Sequence, residues 1–452
     1  MTNYSQLTGI KKQSRDHFVT SKMKNPLIHL FNLLSDFKKT YSNVINNFTN
    51  FGFYLFILYS YPLITLPYLY RVFGVGQMGV IIFAQSIIQL FIIITDYGFD
   101  LTGTKAISIN RTNQLQLNEI ASVILIIKAI LLLLCFIALL LLIGVSFNIR
   151  NNYPIYLLTF LLAIGQAIFP VWFYQGIEKL QYLTITNTII KIIGIFLIFF
   201  LIKQPNDLYL YLLINGSVHL FIGIAGYSIM CLKFKIRFQR PTLPLIKKYL
   251  KEGKDVFLTN ILSHAYISLN VIILGIISNP VLVGYYAIVE KAYFVFRWIA
   301  VIFFRSIYPH ICNLAKKGVL TTQGYFNKIM PPLTIVFTGL CLLLFLLAPQ
   351  IVLLFSGTSS NTPIQLLRMV SIAPLIVFLN TPPYQQLLVF GYEKKLLVII
   401  LYAAILSICS NILLSYYFGP TGTVGSILFS ETFITVSLYI LFNRIKKTFK
   451  TI

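Results

Sequence analysis

Acidic residues are scarce: the chain of 452 residues carries 12 Asp and Glu against 36 Lys and Arg, a formal net charge of +24. Charge of either sign is thin at 11% of residues, whereas 57% are hydrophobic and the mean hydropathy is +0.81. A soluble chain of this length needs several domains with charged surfaces, so that class is excluded. Strands alternating in polarity over about 10 residues are missing too, which excludes an outer-membrane barrel. Cysteines number only five, Cys135, Cys231, Cys312, Cys341 and Cys409, with no CxxC or zinc spacing, so they read as apolar packing rather than a disulfide framework. His17, His29, His219, His264 and His310 form no HExxH or other ligand cluster. Walker A, nucleotide-loop and triad patterns are absent, which argues against ATP hydrolysis, covalent catalysis and any resident cofactor.

Apolar runs of about 20 residues recur from end to end, as a bilayer requires. They define an all-α integral membrane protein with about twelve expected spans: 48–70, 79–99, 119–145, 153–175, 181–202, 208–231, 255–277, 281–307, 329–350, 364–389, 396–418 and 421–442. One set of connections holds 27 Lys and Arg, against three on the other side, Arg71, Arg150 and Lys203. The positive-inside rule then puts both termini in the cytoplasm. The excess positive charge reads as a topology signal and an attraction for anionic membrane lipids, not as a nucleic-acid surface.

Residues 1–46 are polar and basic, without the apolar stretch of a signal peptide, and are expected to stay as a cytoplasmic arm. Within that arm Leu27, Leu30, Phe31, Leu34 and Phe37 recur at helical spacing, as in a helix lying on the inner leaflet; a flexible arm is the alternative.

The charges inside the spans are the most informative. Lys128, Lys191, Lys291 and Arg297 fall near span centres, where each opposes insertion by about 2.5–3.5 kcal/mol. Arg305 and Arg368 lie nearer the ends and can snorkel. At 100° per residue Lys291 and Arg305 project about 40° apart, and Arg297 about 80° from Arg305, so one face of span eight can carry all three. A mostly cationic interior calls for an anionic cargo; the alternative for each cation is a structural ion pair or hydrogen bond. Asp96, Glu290 and Glu431 are the carboxylates within spans, available to pair with those cations or to take up H⁺ or Na⁺ in a coupled cycle.

An internal repeat organises the chain. Gly176, Glu178 and Lys179 align at one offset with Gly391, Glu393 and Lys394, and Gly79 aligns with Gly284 at nearly the same offset. The repeat predicts two six-helix bundles, 47–231 and 255–443, joined by a basic cytoplasmic linker, 232–254, with a basic tail at 444–452. The Glu178-Lys179 and Glu393-Lys394 pairs sit at span ends, either as gate charges or as part of an interfacial anchor with Trp172, Phe173 and Tyr174 in an aromatic belt. Pro62, Pro67, Pro170, Pro331, Pro332, Pro374, Pro382 and Pro383 mark expected kinks.

Three stretches carry a family resemblance: Pro62 to Gly74 (PLITLPYLYRVFG), Asp96-Tyr97-Gly98-Phe99, and Phe169-Pro170 through Lys179, with Trp-Phe-Tyr-Gln-Gly-Ile-Glu-Lys the most specific. There, and over roughly 47–445, the chain resembles the O-antigen flippases of the Wzx type, in the superfamily that includes the MATE exporters. The resemblance implies a MATE-like pair of bundles around a central cavity. It also implies alternating access and export of an undecaprenyl-diphosphate-linked oligosaccharide across the bacterial inner membrane, beside other polysaccharide assembly proteins. A cationic cavity suits that cargo physically, because an unaided diphosphate meets a Born cost of tens of kcal/mol in hydrocarbon. A lipid II-type flippase, a MATE-type drug exporter and a membrane polysaccharide polymerase are the competing readings. Two extra helices would be expected of the first and an acidic or aromatic cavity of the second. A large external loop would be expected of the third, whereas external connections here are short.

Overall fold

The computed structural model describes residues 26–450, except the side chains at 26–59, 148, 263–268, 305–306, 309 and 447–450. The chain divides into Met1–Phe53 and Tyr54–Ile452. The inner-leaflet helix expected around residues 24–39 concerns side chains outside the described set; the backbone there from Pro26 onward is helical.

Sixteen α-helices and no strand occur among the described residues. They are α1 (Pro26–Asp96), α2 (Phe99–Ile109), α3 (Gln114–Val145), α4 (Phe147–Asn151), α5 (Tyr153–Ile168), α6 (Val171–Gly176), α7 (Gln181–Leu201) and α8 (Leu208–Leu232). The second half holds α9 (Leu243–Ile277), α10 (Pro280–Ala315), α11 (Val319–Leu346), α12 (Ala348–Ser356), α13 (Asn361–Val370), α14 (Ala373–Val389), α15 (Glu393–Phe418) and α16 (Pro420–Lys450).

Nine helical stretches among the described residues are long and apolar enough to cross a bilayer. Ser60–Ile109 runs 50 residues through two of the expected spans, and at 1.5 Å per residue that length exceeds two crossings of about 30 Å. Its continuity is broken at Gly74, whose φ of 76° and ψ of 164° are not helical. Helices α9 (35 residues) and α10 (36 residues), which cover the expected spans 255–277 and 281–307, are also long enough to cross, and each contains side chains outside the described set. Leu133, Leu134, Ile137 and Leu141 on α3, and Ile189, Ile193, Phe196 and Phe200 on α7, are exposed. In water each Å² of that apolar surface costs about 25 cal/mol, whereas facing lipid it costs nothing. The chain is an all-α integral membrane protein.

One hydrophobic core runs from Leu69 and Phe73 of α1 through Tyr156 and Tyr211 to Leu274, Tyr286 and Val352 of the second half. Helix α1 and the turn after it meet the second half at several places, two of which fix the backbone closely. At the first, a Cβ on Gly79 would fall 1.8 Å from the Pro280 carbonyl oxygen, so the crossing demands glycine. The Tyr70 hydroxyl donates to the Gly284 carbonyl at 2.9 Å in the same region. At the second, Tyr97 stacks on Phe257 of α9 with ring centroids 4.7 Å apart. Gly98 follows with φ of 77°, and a Cβ there would stand 2.7 Å from Val256 Cγ1.

The basic linker is anchored rather than loose. Gln114 Nε2 donates to the carbonyls of Phe234 and Lys235, each at 3.1 Å, the Arg237 amide donates to Asn118 Oδ1 at 3.0 Å, and the Gln239 amide to Ser122 Oγ at 2.8 Å. Its backbone groups thereby find partners along the first turns of α3. From Leu243 the expected linker is already helical and continues into α9.

Candidate functional site

Each in-span carboxylate expected from the sequence meets a cation. Asp96 and Lys128 are 2.7 Å apart, joining the end of α1 to α3, with the Lys128 side chain 2% exposed. Asp100, one turn on, interacts electrostatically with both. On α10, Lys291 reaches Glu290 at 3.3 Å, an arrangement between chain neighbours that a helix does not favour. Arg297 Nη1 lies 3.2 Å from Glu431 Oε1, with the Glu431 side chain 2% exposed.

The Arg297 cluster spans three helices. Arg297 also donates to the Tyr293 hydroxyl at 3.2 Å, and Asn380 Nδ2 of α14 donates to the other Glu431 oxygen, Oε2, at 3.3 Å. Thr435 Oγ1, one turn beyond Glu431 on α16, donates to the Ile376 carbonyl of α14 at 3.4 Å. A buried carboxylate held by a guanidinium and an amide is well satisfied, and removing either charge strands the other.

Lys191 differs from the rest. It is buried, and among the described residues no carboxylate lies within ion-pair distance. Its ammonium stands 5.5 Å from the Tyr61 ring centroid, and it interacts electrostatically with His219. Tyr61 in turn donates to Asn215 Oδ1 at 3.4 Å, and His219 Nδ1 lies 3.0 Å from the Asn215 carbonyl oxygen.

The remaining expected residues lie apart from these clusters. Arg368 is exposed near the end of α13, its guanidinium 5.2 Å from the Phe345 ring centroid. The side chain of Arg305 lies outside the described residues. Glu178 pairs with Arg111 at 3.1 Å, both about half exposed, rather than with a charge of the second half. Lys179, Glu393 and Lys394 are exposed, and among the described residues no ion pair links the two Glu-Lys pairs. Trp172, Phe173 and Tyr174 do not form the lipid-facing belt that was one reading of the run. They are 1%, 0% and 0% exposed, because Pro170 separates α6 from α5 and turns the short helix inward, where the Tyr174 hydroxyl donates to the Gly226 carbonyl at 2.6 Å.

Sequence reasoning missed Tyr293 and Asn380, the neutral partners in the Arg297 cluster. It also missed a buried polar line in which Asn411 donates to Asn270 Oδ1 at 2.7 Å, Ser415 bonds to Asn411, and Ser415 Oγ lies 2.8 Å from Thr423 Oγ1. Asn411 and Ser415 are four apart inside an apolar helix, a spacing that puts both on one face and was the available signal.

Residues 48–315 match the family model described as polysaccharide biosynthesis protein. A protein of Escherichia coli (strain K12), described as a candidate O-antigen transporter, is 26% identical over 393 residues, 86% of this chain and 94% of that protein. A Shigella dysenteriae protein of the same description is 27% identical over 392 residues, 84% of this chain and 94% of its own length. Among solved structures, an inward-facing MATE-family multidrug resistance transporter of the MOP superfamily superposes with a TM-score of 0.66 at 14% identity, over 86% of this chain and 96% of that one. The lipid II flippase MurJ in an inward closed conformation superposes with a TM-score of 0.63 at 13% identity, over 88% and 87% of the two chains. The fold is therefore one that a drug exporter and a lipid flippase share, and by the match over more than half its length the chain belongs to the polysaccharide biosynthesis protein family.

Proposed function

We propose that the protein flips undecaprenyl-diphosphate-linked oligosaccharide repeat units from the cytoplasmic to the periplasmic leaflet of the bacterial inner membrane, supplying O-antigen or another surface polysaccharide. The family, the similarity to O-antigen transporters and the fold support a transporter of polysaccharide intermediates. Because the fold serves unrelated cargoes, the choice of cargo rests on the interior charges. The observation that carries it is the pair of partly exposed cations on α10: Lys291 with its side chain 37% exposed, and Arg297 with its side chain 19% exposed.

In this reading the two cations receive the diphosphate. Arg297 offers a planar fork suited to phosphate and Lys291 a point charge on a flexible stem. Glu431 and Glu290 hold them when no cargo is bound, so the empty interior does not carry uncompensated charge. An arriving diphosphate competes for Arg297, and Glu431, losing its partner, becomes an acceptor for H⁺ or Na⁺. Exchange of that kind links cargo entry to ion uptake. Bundles 47–231 and 255–443 rock about the 232–254 linker, both termini stay in the cytoplasm, and the contacts of α1 at Gly79 and at Tyr97 release in turn.

The test is complementation of a flippase-null strain supplied with the matching repeat unit, scored by surface polysaccharide. Restored polysaccharide is expected. An intact, inserted protein that restores none contradicts the assignment.

A further inference from the structure

A second feature of the second half lies outside the charge clusters. A cavity of about 660 Å³ opens between α11, α14 and α16, its walls including Phe326, Pro331, Thr334, Leu379, Tyr439 and Phe442. Volume and lining place it in the range of pockets that take apolar ligands. Two of its polar side chains, Gln386 and Thr334, are engaged by neighbouring protein groups. Gln386 accepts from Thr322 Oγ1 at 3.3 Å and donates to the Pro382 carbonyl at 3.4 Å, and Thr334 Oγ1 donates back to the Met330 carbonyl at 2.8 Å. What the cavity offers a ligand is chiefly hydrocarbon contact. It is open to the surrounding bilayer, since Ile335 on its wall is 74% exposed.

Its position relative to the Arg297 cluster is specific. On α14, Asn380 turns to Glu431, while Leu379, Pro382, Pro383 and Gln386 line the cavity. At 100° per residue those four fall within an arc of about 100° centred about 110° from Asn380, so one stretch of helix serves both features. On α16 the sequence Glu431, Thr435, Tyr439, Phe442 stays within about 80° of one face. Tyr439 and Phe442 lie about 12–17 Å along the axis from Glu431, so the ion-pair cluster and the cavity form one strip, charged at one end and apolar along the rest.

We infer that this cavity holds the polyprenyl chain of the lipid-linked cargo while its diphosphate occupies Arg297. The inference rests on the proposed function and adds the place of the tail. A bulk phospholipid of the inner leaflet fits the strip less well. Its phosphate stays at the membrane surface, beyond the Asn443 end of the cavity, and leaves the Arg297 end unused. A polyprenyl diphosphate drawn part-way across places its charge at the deep end and its hydrocarbon behind it.

The test uses the full-length protein in lipid nanodiscs with a photoreactive polyprenyl diphosphate and, separately, a photoreactive phospholipid. The polyprenyl probe is expected to label peptides of α11 and α16 that line the cavity, and Thr334→Trp or Thr338→Trp, which fill it, to cut that labelling at least tenfold. Phospholipid labelling of those peptides should stay low and unchanged. Polyprenyl labelling that maps elsewhere in the wild type, or cavity labelling equally strong with both probes, overturns the inference. Because the wild-type labelling pattern needs no variant to fold, it decides the matter alone. In a strain whose surface polysaccharide the protein restores, these negatives refute the tail site and leave the flippase reading intact. A wild type that labels in the cavity but restores no polysaccharide supports the tail site and contradicts the flippase reading.

Discussion

The in-span cations of the two halves live in different surroundings. In the first half Lys128 and Lys191 are 2% and 3% exposed, one closed in a pair with Asp96 and the other set against Tyr61 with no carboxylate in ion-pair range among the described residues. In the second half the Lys291 and Arg297 side chains are 37% and 19% exposed, and both lie on α10. A charge sealed by protein stabilises or strains the fold, whereas a charge that is paired yet accessible can change partners. The contrast is why we propose structural work for the first-half cations and cargo binding for those of the second half.

The largest effect expected from breaking the contrast is at Asp96. Asp96→Asn leaves Lys128 buried beside a neutral amide and should cost about 3 kcal/mol, the lower end for a buried pair because Asp96 keeps 28% exposure. Thermal unfolding in detergent measures this, and the double variant Asp96→Asn with Lys128→Met should recover most of the loss. Next comes Arg297→Gln, which should lower polysaccharide export at least tenfold per folded molecule and, because it strands the buried Glu431 carboxylate, also lower the thermal midpoint; Lys291→Gln should lower export in the same direction but less. Normal export in both variants would return α10's cations to a structural role. Lys191→Met removes a buried charge that has no acidic partner among the described residues and should raise stability by about 1 kcal/mol, read as a higher thermal midpoint. A lower midpoint would mean that the Tyr61 ring and its neighbours stabilise the Lys191 charge. The smallest effect belongs to Glu178→Gln, since an exposed pair contributes under about 1 kcal/mol; export and stability should both stay close to wild type.

How much of this was legible in the sequence differs by element. The apolar runs and the helical, membrane-embedded class followed from composition, because a bilayer imposes length and apolarity directly. Gly79 and Gly284 stood out as repeat-equivalent positions, and the structure adds that the backbones around them meet: a Cβ on Gly79 would be 3.0 Å from the Gly284 nitrogen. That contact depends on how two distant helices cross, which periodicity does not encode. The cations and acids were each visible as costly residues, but their pairing was not. Arg297 finds Glu431, and Glu431 finds Asn380, only through the register of α10, α14 and α16. The aromatic run at Trp172 misled for a related reason. A belt and a buried wedge have the same composition, and only the break at Pro170 decides which one forms.

The most direct measurement is the affinity of purified wild type and Arg297→Gln proteins, in nanodiscs of equal lipid composition, for undecaprenyl diphosphate. Binding should be weaker by at least tenfold in the variant, about 1.4 kcal/mol, with Glu178→Gln unchanged. Equal affinity of the wild type and Arg297→Gln would contradict it.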